Sequence, residues 1–141
     1  MYEFHGWVTL QLTSGDEDDD ELERAVHLIK MRMKELKWGN DLLKLGIVNG
    51  YYYLHTVGMR NRAPLKKLET DISPIEFFRY VATTTPGSYG LLYIIDHQSL
   101  EDPTGTETQV YVMKRGSLNQ QVDPFFKPFI PVVEDPYDVM N

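Results

Sequence analysis

The order of elements in this chain predicts an α+β fold. It is a two-layer sandwich, in which a mostly antiparallel sheet of about five strands carries two helices on one face in the order β-α-β-β-α-β-β. Three observations carry that expectation: an alternating strand at the start, an Asn-Gly turn between two strand-like runs, and two amphipathic helices set among strands. The first six elements follow the ferredoxin-like pattern, an order that leaves the second sheet face without helical cover.

Residues 2–12 alternate, with Tyr2, Phe4, Val8, Leu10 and Leu12 on one side and Glu3, His5, Trp7, Thr9 and Gln11 on the other. That is a strand with one buried face. A helix is expected from Asp20 to Lys37, because Leu22, Val26, Ile29, Met33 and Leu36 make one apolar stripe. The aspartates at its start cap free N–H groups, and its lysines and arginine gather toward the end where cations are favoured. Leu28 and Met31 fall off the stripe.

Asn49-Gly50 readily takes the positive φ values of a type I′ hairpin turn. A two-residue loop sets the register, pairing Val48 with Tyr51, Ile47 with Tyr52, Gly46 with Tyr53, Leu45 with Leu54 and Lys44 with His55. Leu43, Leu45, Ile47, Tyr52 and Leu54 then form a core face, and the Tyr53 ring covers Gly46.

Ser73-Pro74-Ile75-Glu76 reads as a capping box with proline at the first helical position. The second helix sends Ile75, Phe78 and Ala82 inward and ends before Pro86-Gly87. The next strand runs from Ser88 to about His97, apolar on both faces from Leu91 to Ile95 and so expected near the sheet centre. The last strand covers Glu107 to Arg115 and ends at Gly116, with Gln109, Tyr111 and Met113 assigned to the helix-free face. Beyond Asp123, four prolines punctuate Phe125, Phe126, Phe129, Ile130 and Val132, an extended segment expected to pack rings on the domain.

The composition fits a single domain over residues 1–141: 42% hydrophobic, 25% charged and 12% aromatic. At this size no disulfide or metal staple is required. Absence of cysteine excludes disulfides, thiolate metal sites and a cysteine nucleophile. Neither a membrane span nor a secretory signal is visible, which makes the cytoplasm the expected compartment.

The net charge is -7, and without the six consecutive acids Asp16-Glu17-Asp18-Asp19-Asp20-Glu21 it becomes -1. The acidity is therefore a local patch. It reads as a solvated loop or as a surface for a basic protein partner, and no footprint for direct nucleic-acid binding is present.

Motifs for chemistry are thin. There is no nucleophile elbow, phosphate loop, dinucleotide fingerprint or H-E-x-x-H helix, and no cofactor is called for. Asp16-x-Asp18-x-Asp20 lacks the glycine of a calcium loop, with Glu21 in its place. The four histidines are isolated in sequence.

The helix-free face is expected to present Glu3, His5, Trp7, Lys44, Tyr51, Tyr53, His55, Gln109, Tyr111, Met113 and Arg115. Tryptophan, tyrosine and arginine are enriched at interface hot spots. Two readings of this face stand: a second small core under the C-terminal segment, or an exposed binding surface.

Four separated blocks carry a resemblance. They are Met1-Tyr2-Glu3-Phe4-His5-Gly6-Trp7, Pro86-Gly87-Ser88-Tyr89-Gly90-Leu91-Leu92-Tyr93, Val110-Tyr111-Val112-Met113-Lys114-Arg115-Gly116, and Asp123-Pro124-Phe125 through Ile130-Pro131 to Glu134-Asp135. Taken in order they resemble the immunity protein 7 family of bacterial polymorphic toxin systems, including contact-dependent inhibition. The resemblance implies a small cytoplasmic α+β protein, encoded beside a toxin, that binds the toxin's C-terminal domain and blocks it. It brings no catalytic residue and no contact motif.

The expected contacts therefore come from charge and face alone: Asp16, Glu17, Asp18, Asp19, Asp20 and Glu21, with Trp7, Tyr51, Tyr53 and Tyr111. A negative inhibitor suits a positively charged target, for which a nuclease is the default. Oligomeric state stays open. The alternatives are a small metal-dependent hydrolase using His5, His55, Asp96 and His97, or a generic protein-interaction module.

Overall fold

The computed structural model describes residues 2–13, 19–36, 38, 41–60, 72–97 and 107–126. Along the chain these form β1 (Tyr2–Leu10), α1 (Asp19–Glu35), β2 (Leu42–Val48), β3 (Tyr51–Arg60), α2 (Pro74–Thr84), β4 (Tyr89–Asp96), β5 (Glu107–Lys114) and β6 (Ser117–Gln121). The strands make one open antiparallel sheet in the order β2-β3-β1-β4-β5-β6. The first four strands keep the ferredoxin-like arrangement, and β5 and β6 extend it beyond β4.

Both helices pack on one face. Phe4, Val8 and Leu10 of β1 meet Leu54, Leu92, Met113 and Leu118 from the sheet, with Val26 and Ile29 of α1 and Phe77, Phe78 and Val81 of α2 above them. Burying these side chains is the main favourable term in folding. Trp38 closes the core edge-on against Phe4 and Phe77, and its indole N–H donates to the Ile72 carbonyl at 2.8 Å. Arg60 lies over both Phe4 and Trp38 and pairs with Asp41 at 2.7 Å.

Local chemistry sets the helix ends. Ser73 is the N-cap of α2, its Oγ accepting from the Glu76 N–H at 3.1 Å, with Pro74 at the first turn. Asp19, Asp20 and Glu21 occupy the first turn of α1, and Arg32 and Lys34 the last.

The β2–β3 register is the one that a two-residue Asn49-Gly50 loop dictates, and both residues have positive φ. A Cβ on Gly46 would meet the Tyr53 ring at 2.5 Å, so that ring does cover the glycine. β4 lies at the centre beside β1, as its two apolar faces require.

Several expectations are corrected. Arg115-Gly116 is a second positive-φ turn leading into β6, so the sheet has six strands rather than five. The pair mimics Asn-Gly in geometry although arginine seldom takes positive φ. Ile47 is 57% exposed, because β2 is the edge strand beyond the helical cover. Phe77, not singled out by periodicity, is completely buried.

The largest correction concerns β5. The β4–β5 register pairs Leu92 with Tyr111 and Gly90 with Met113, which turns Tyr111, Met113 and Gln109 toward the helices. Tyr111 is only 6% exposed, and its hydroxyl donates to Gln109 at 3.0 Å. Val110 and Val112 take the open face instead. Alternation along a strand separates two faces without saying which is inward. Arg115 leaves the face as well, since it sits in the turn.

Candidate binding face

The face without helices is built by cross-strand rows. Glu3, Ile95 and Thr108 form one row; His5, Tyr93, Val110 and Gln121 form the next; His55, Trp7 and Leu91 a third. Trp7 is 40% exposed and meets Tyr89 edge-on at 6.3 Å, while Tyr53 and His55 make a similar contact at 5.3 Å. Between these rings runs a groove of about 320 Å³, lined by His5, Trp7, Leu42, His55, Val57, Leu91 and Tyr93.

Glu3 anchors one end. Its two carboxylate oxygens hold His5 Nε2 at 2.9 Å and His97 Nε2 at 2.8 Å. Burial pushes the Glu3 carboxyl up, but the hydrogen bonds from His97 and His5 outweigh it, and its pKa lies below the ordinary value. The sequence shows no sign of this clamp, because residues 3 and 97 meet only through the antiparallel β1–β4 register.

The structure brings the histidines expected for hydrolysis together only in part: His5 and His97 meet on Glu3, and His5 and His55 line one groove. His55 meets Tyr53 edge-on, and Asp96 pairs with Tyr2 on the helical side. Among the described residues no group of three or more His, Asp or Glu side chains is arranged to hold a metal ion.

Asp123 anchors the other end. It is 3% exposed, and its Oδ1 accepts from the Tyr93 hydroxyl, from the Phe125 N–H at 2.9 Å and from the Phe126 N–H at 3.3 Å. This is an Asx turn running into the C-terminal segment. It seats Phe126 edge-on against Tyr93 at 5.9 Å. Burial raises the Asp123 carboxyl, but these donors outweigh it and leave a net depression; the same buried site raises the Tyr93 hydroxyl. Asp123-Pro124 is a readable turn signal, but its docking on Tyr93 is not.

The residues expected to contact a partner are thus spread unevenly. Trp7, Tyr51 and Tyr53 stand on the open face, Tyr51 at its exposed margin, and Tyr111 is withdrawn from it. Asp19, Asp20 and Glu21 belong to α1 in the helical layer, with exposed Leu28 and Met31 further along that helix. Asp16, Glu17 and Asp18 lie outside the described residues, as does the C-terminal segment from 127 onward. The start of that segment, through Phe126, covers part of the open face around Tyr93 and leaves the groove beside Trp7 open.

No helix among the described residues is long and apolar enough to cross a membrane. Among the described residues, the domain is a two-layer α+β sandwich whose second sheet face carries aromatic and histidine side chains and no helix. A model of immunity protein 7 matches residues 1–135, and the chain belongs to that family. No curated protein and no solved structure gives a significant match.

Proposed function

We propose that this protein neutralises a cognate bacterial toxin domain by stoichiometric binding in the cytoplasm, occluding the toxin's active site or substrate groove. Membership of the immunity protein 7 family carries this reading. The open face supports it: Trp7 lines a groove, and Tyr53 and Tyr51 stand on the same face, large rings of the kind that anchor interfaces at small entropic cost. The net charge of -7 suits a basic toxin surface, such as that of a nuclease, and would steer its approach. The protein acts by presenting a surface, with no bond made or broken by its own side chains.

Titration of the purified protein against the toxin domain encoded beside it tests the proposal. The expected result is saturation near one to one with loss of toxin activity. Loss of activity only through turnover, or no saturation, refutes it.

A further inference from the structure

Among the described residues, one buried carboxylate oxygen, Asp123 Oδ2, has no hydrogen-bond partner. Three donors converge on Asp123 Oδ1, whereas Oδ2 accepts no hydrogen bond, and Thr108 Oγ1 beside it makes none either. Thr108 is near enough to help lower the Asp123 pKa, yet its hydroxyl does not reach hydrogen-bonding geometry with Oδ2. Both residues are more than nine-tenths buried. Among the described residues no cation pairs with Asp123. A buried charge with one face unmet is costly, and the structure retains it.

Thr108 and Asp123 line a polar pocket of about 280 Å³, together with Gln120, Gln121 and Val122. That volume admits the head group of a lysine or arginine together with part of its stem. The pocket adjoins the aromatic groove. Tyr93 lines the groove with its ring and bonds Asp123 with its hydroxyl, so one residue separates the two.

Resting on the toxin-inhibitor reading above, we infer that the Thr108–Asp123 pocket receives a lysine or arginine side chain of the toxin. The cation donates to Asp123 Oδ2 and Thr108 Oγ1, with the Gln120 and Gln121 side chains at the rim, while the adjoining rings pack on its neighbours. A cation meets both deficits at once, the missing donor and the missing positive charge. A desolvated charge pair of this kind governs dissociation more than association.

Two measurements test it. In the free protein, n-butylammonium or n-butylguanidinium is titrated while amide chemical shifts are followed. Saturable shifts at Gln120, Gln121, Val122 and Phe125 are expected, absent with butan-1-ol and absent in Asp123→Asn. Shifts no larger than those caused by sodium chloride at equal ionic strength overturn the inference. Against the toxin domain, Asp123→Asn should raise the dissociation rate at least tenfold, and Thr108→Val less. Asparagine keeps an oxygen for Tyr93 and the two backbone donors, so an unchanged amide spectrum elsewhere certifies the fold. An Asp123→Asn affinity within twofold of the parent also overturns it. Failure of the parent itself to bind the toxin sinks the inhibitor reading instead, and the amine titration still judges the pocket.

Discussion

The two faces of the one sheet are held to different standards. On the helical face Phe4, Leu54, Leu92, Phe77 and Phe78 are sealed from solvent, and every strand but the edge β2 contributes a buried apolar side chain. On the open face the neighbouring positions of the same strands carry Glu3, His5, Trp7, Tyr53 and His55, in rows of rings, imidazoles and carboxylates. The first face obeys packing, where a missing methylene is felt. The second is free to follow recognition. Alternation with period two lets each strand serve both tasks without compromise.

Cutting into the packed face should have the largest effect. Phe77→Ala is expected to lower stability by about 3–5 kcal/mol in denaturant unfolding, whereas Trp7→Ala should cost under about 1 kcal/mol and act on toxin affinity instead. A comparison of two tyrosines sharpens the contrast. Tyr111→Ala should destabilise by about 3 kcal/mol, and Tyr51→Ala, at 62% exposure, should stay within about 0.5 kcal/mol. Equal losses for the two would show that the faces do not differ as described.

Next in size is the cap that starts α2. Ser73→Ala should cost about 1 kcal/mol by removing the acceptor for the Glu76 N–H, measurable as a shift in the denaturation midpoint at constant slope. The residue touches neither face, so toxin affinity should not follow.

The open face should declare itself in acid. The folded-state pKa of Glu3 is depressed, so the unfolded chain binds more protons there than the folded one as pH falls. The stability from the His5–Glu3–His97 clamp is therefore present above the ordinary carboxylate range and is lost as pH drops through the folded value. Unfolding measured from roughly pH 6 to 3 should fall less steeply for Glu3→Gln than for the parent. Parallel curves would mean that the clamp is not coupled to folding.

The smallest effect on stability is expected from the acid run. Changing Asp16, Asp18, Asp19 and Asp20 to asparagine should slow association with the toxin and flatten its salt dependence, more than it alters dissociation. Equal association rates at low salt would remove steering and leave aromatic anchoring untouched.

Much of this was readable in the chain before any coordinates. Asn49-Gly50 specifies its hairpin through backbone geometry alone, Ser73-Pro74 starts α2, and Leu22, Val26 and Ile29 mark the inward stripe of α1. Each is a local device, acting within a few residues. Arg115-Gly116 performs the same turn as Asn49-Gly50 but hides it, because arginine carries no preference for positive φ; the gain of β6 had no clear local sign. The open face was legible in part. Trp7 and Tyr53 followed from strands of known register, but Tyr111 was misplaced because the strand before it is apolar on both sides and the 98–106 connection is too long to transmit a register.

The sequence by itself determined every element but β6, their order, the tight turn between β2 and β3, and the acid-rich start of α1, since propensity, capping and turn chemistry act over single turns of chain. Tertiary structure alone decided which side of β5 faces inward, how Glu3 comes to hold His97, and why Asp123 presents one unmet oxygen beside Thr108. Glu3 and His97 stand 94 positions apart and Thr108 and Asp123 15, and only the antiparallel sheet with its closing C-terminal turn brings each pair together.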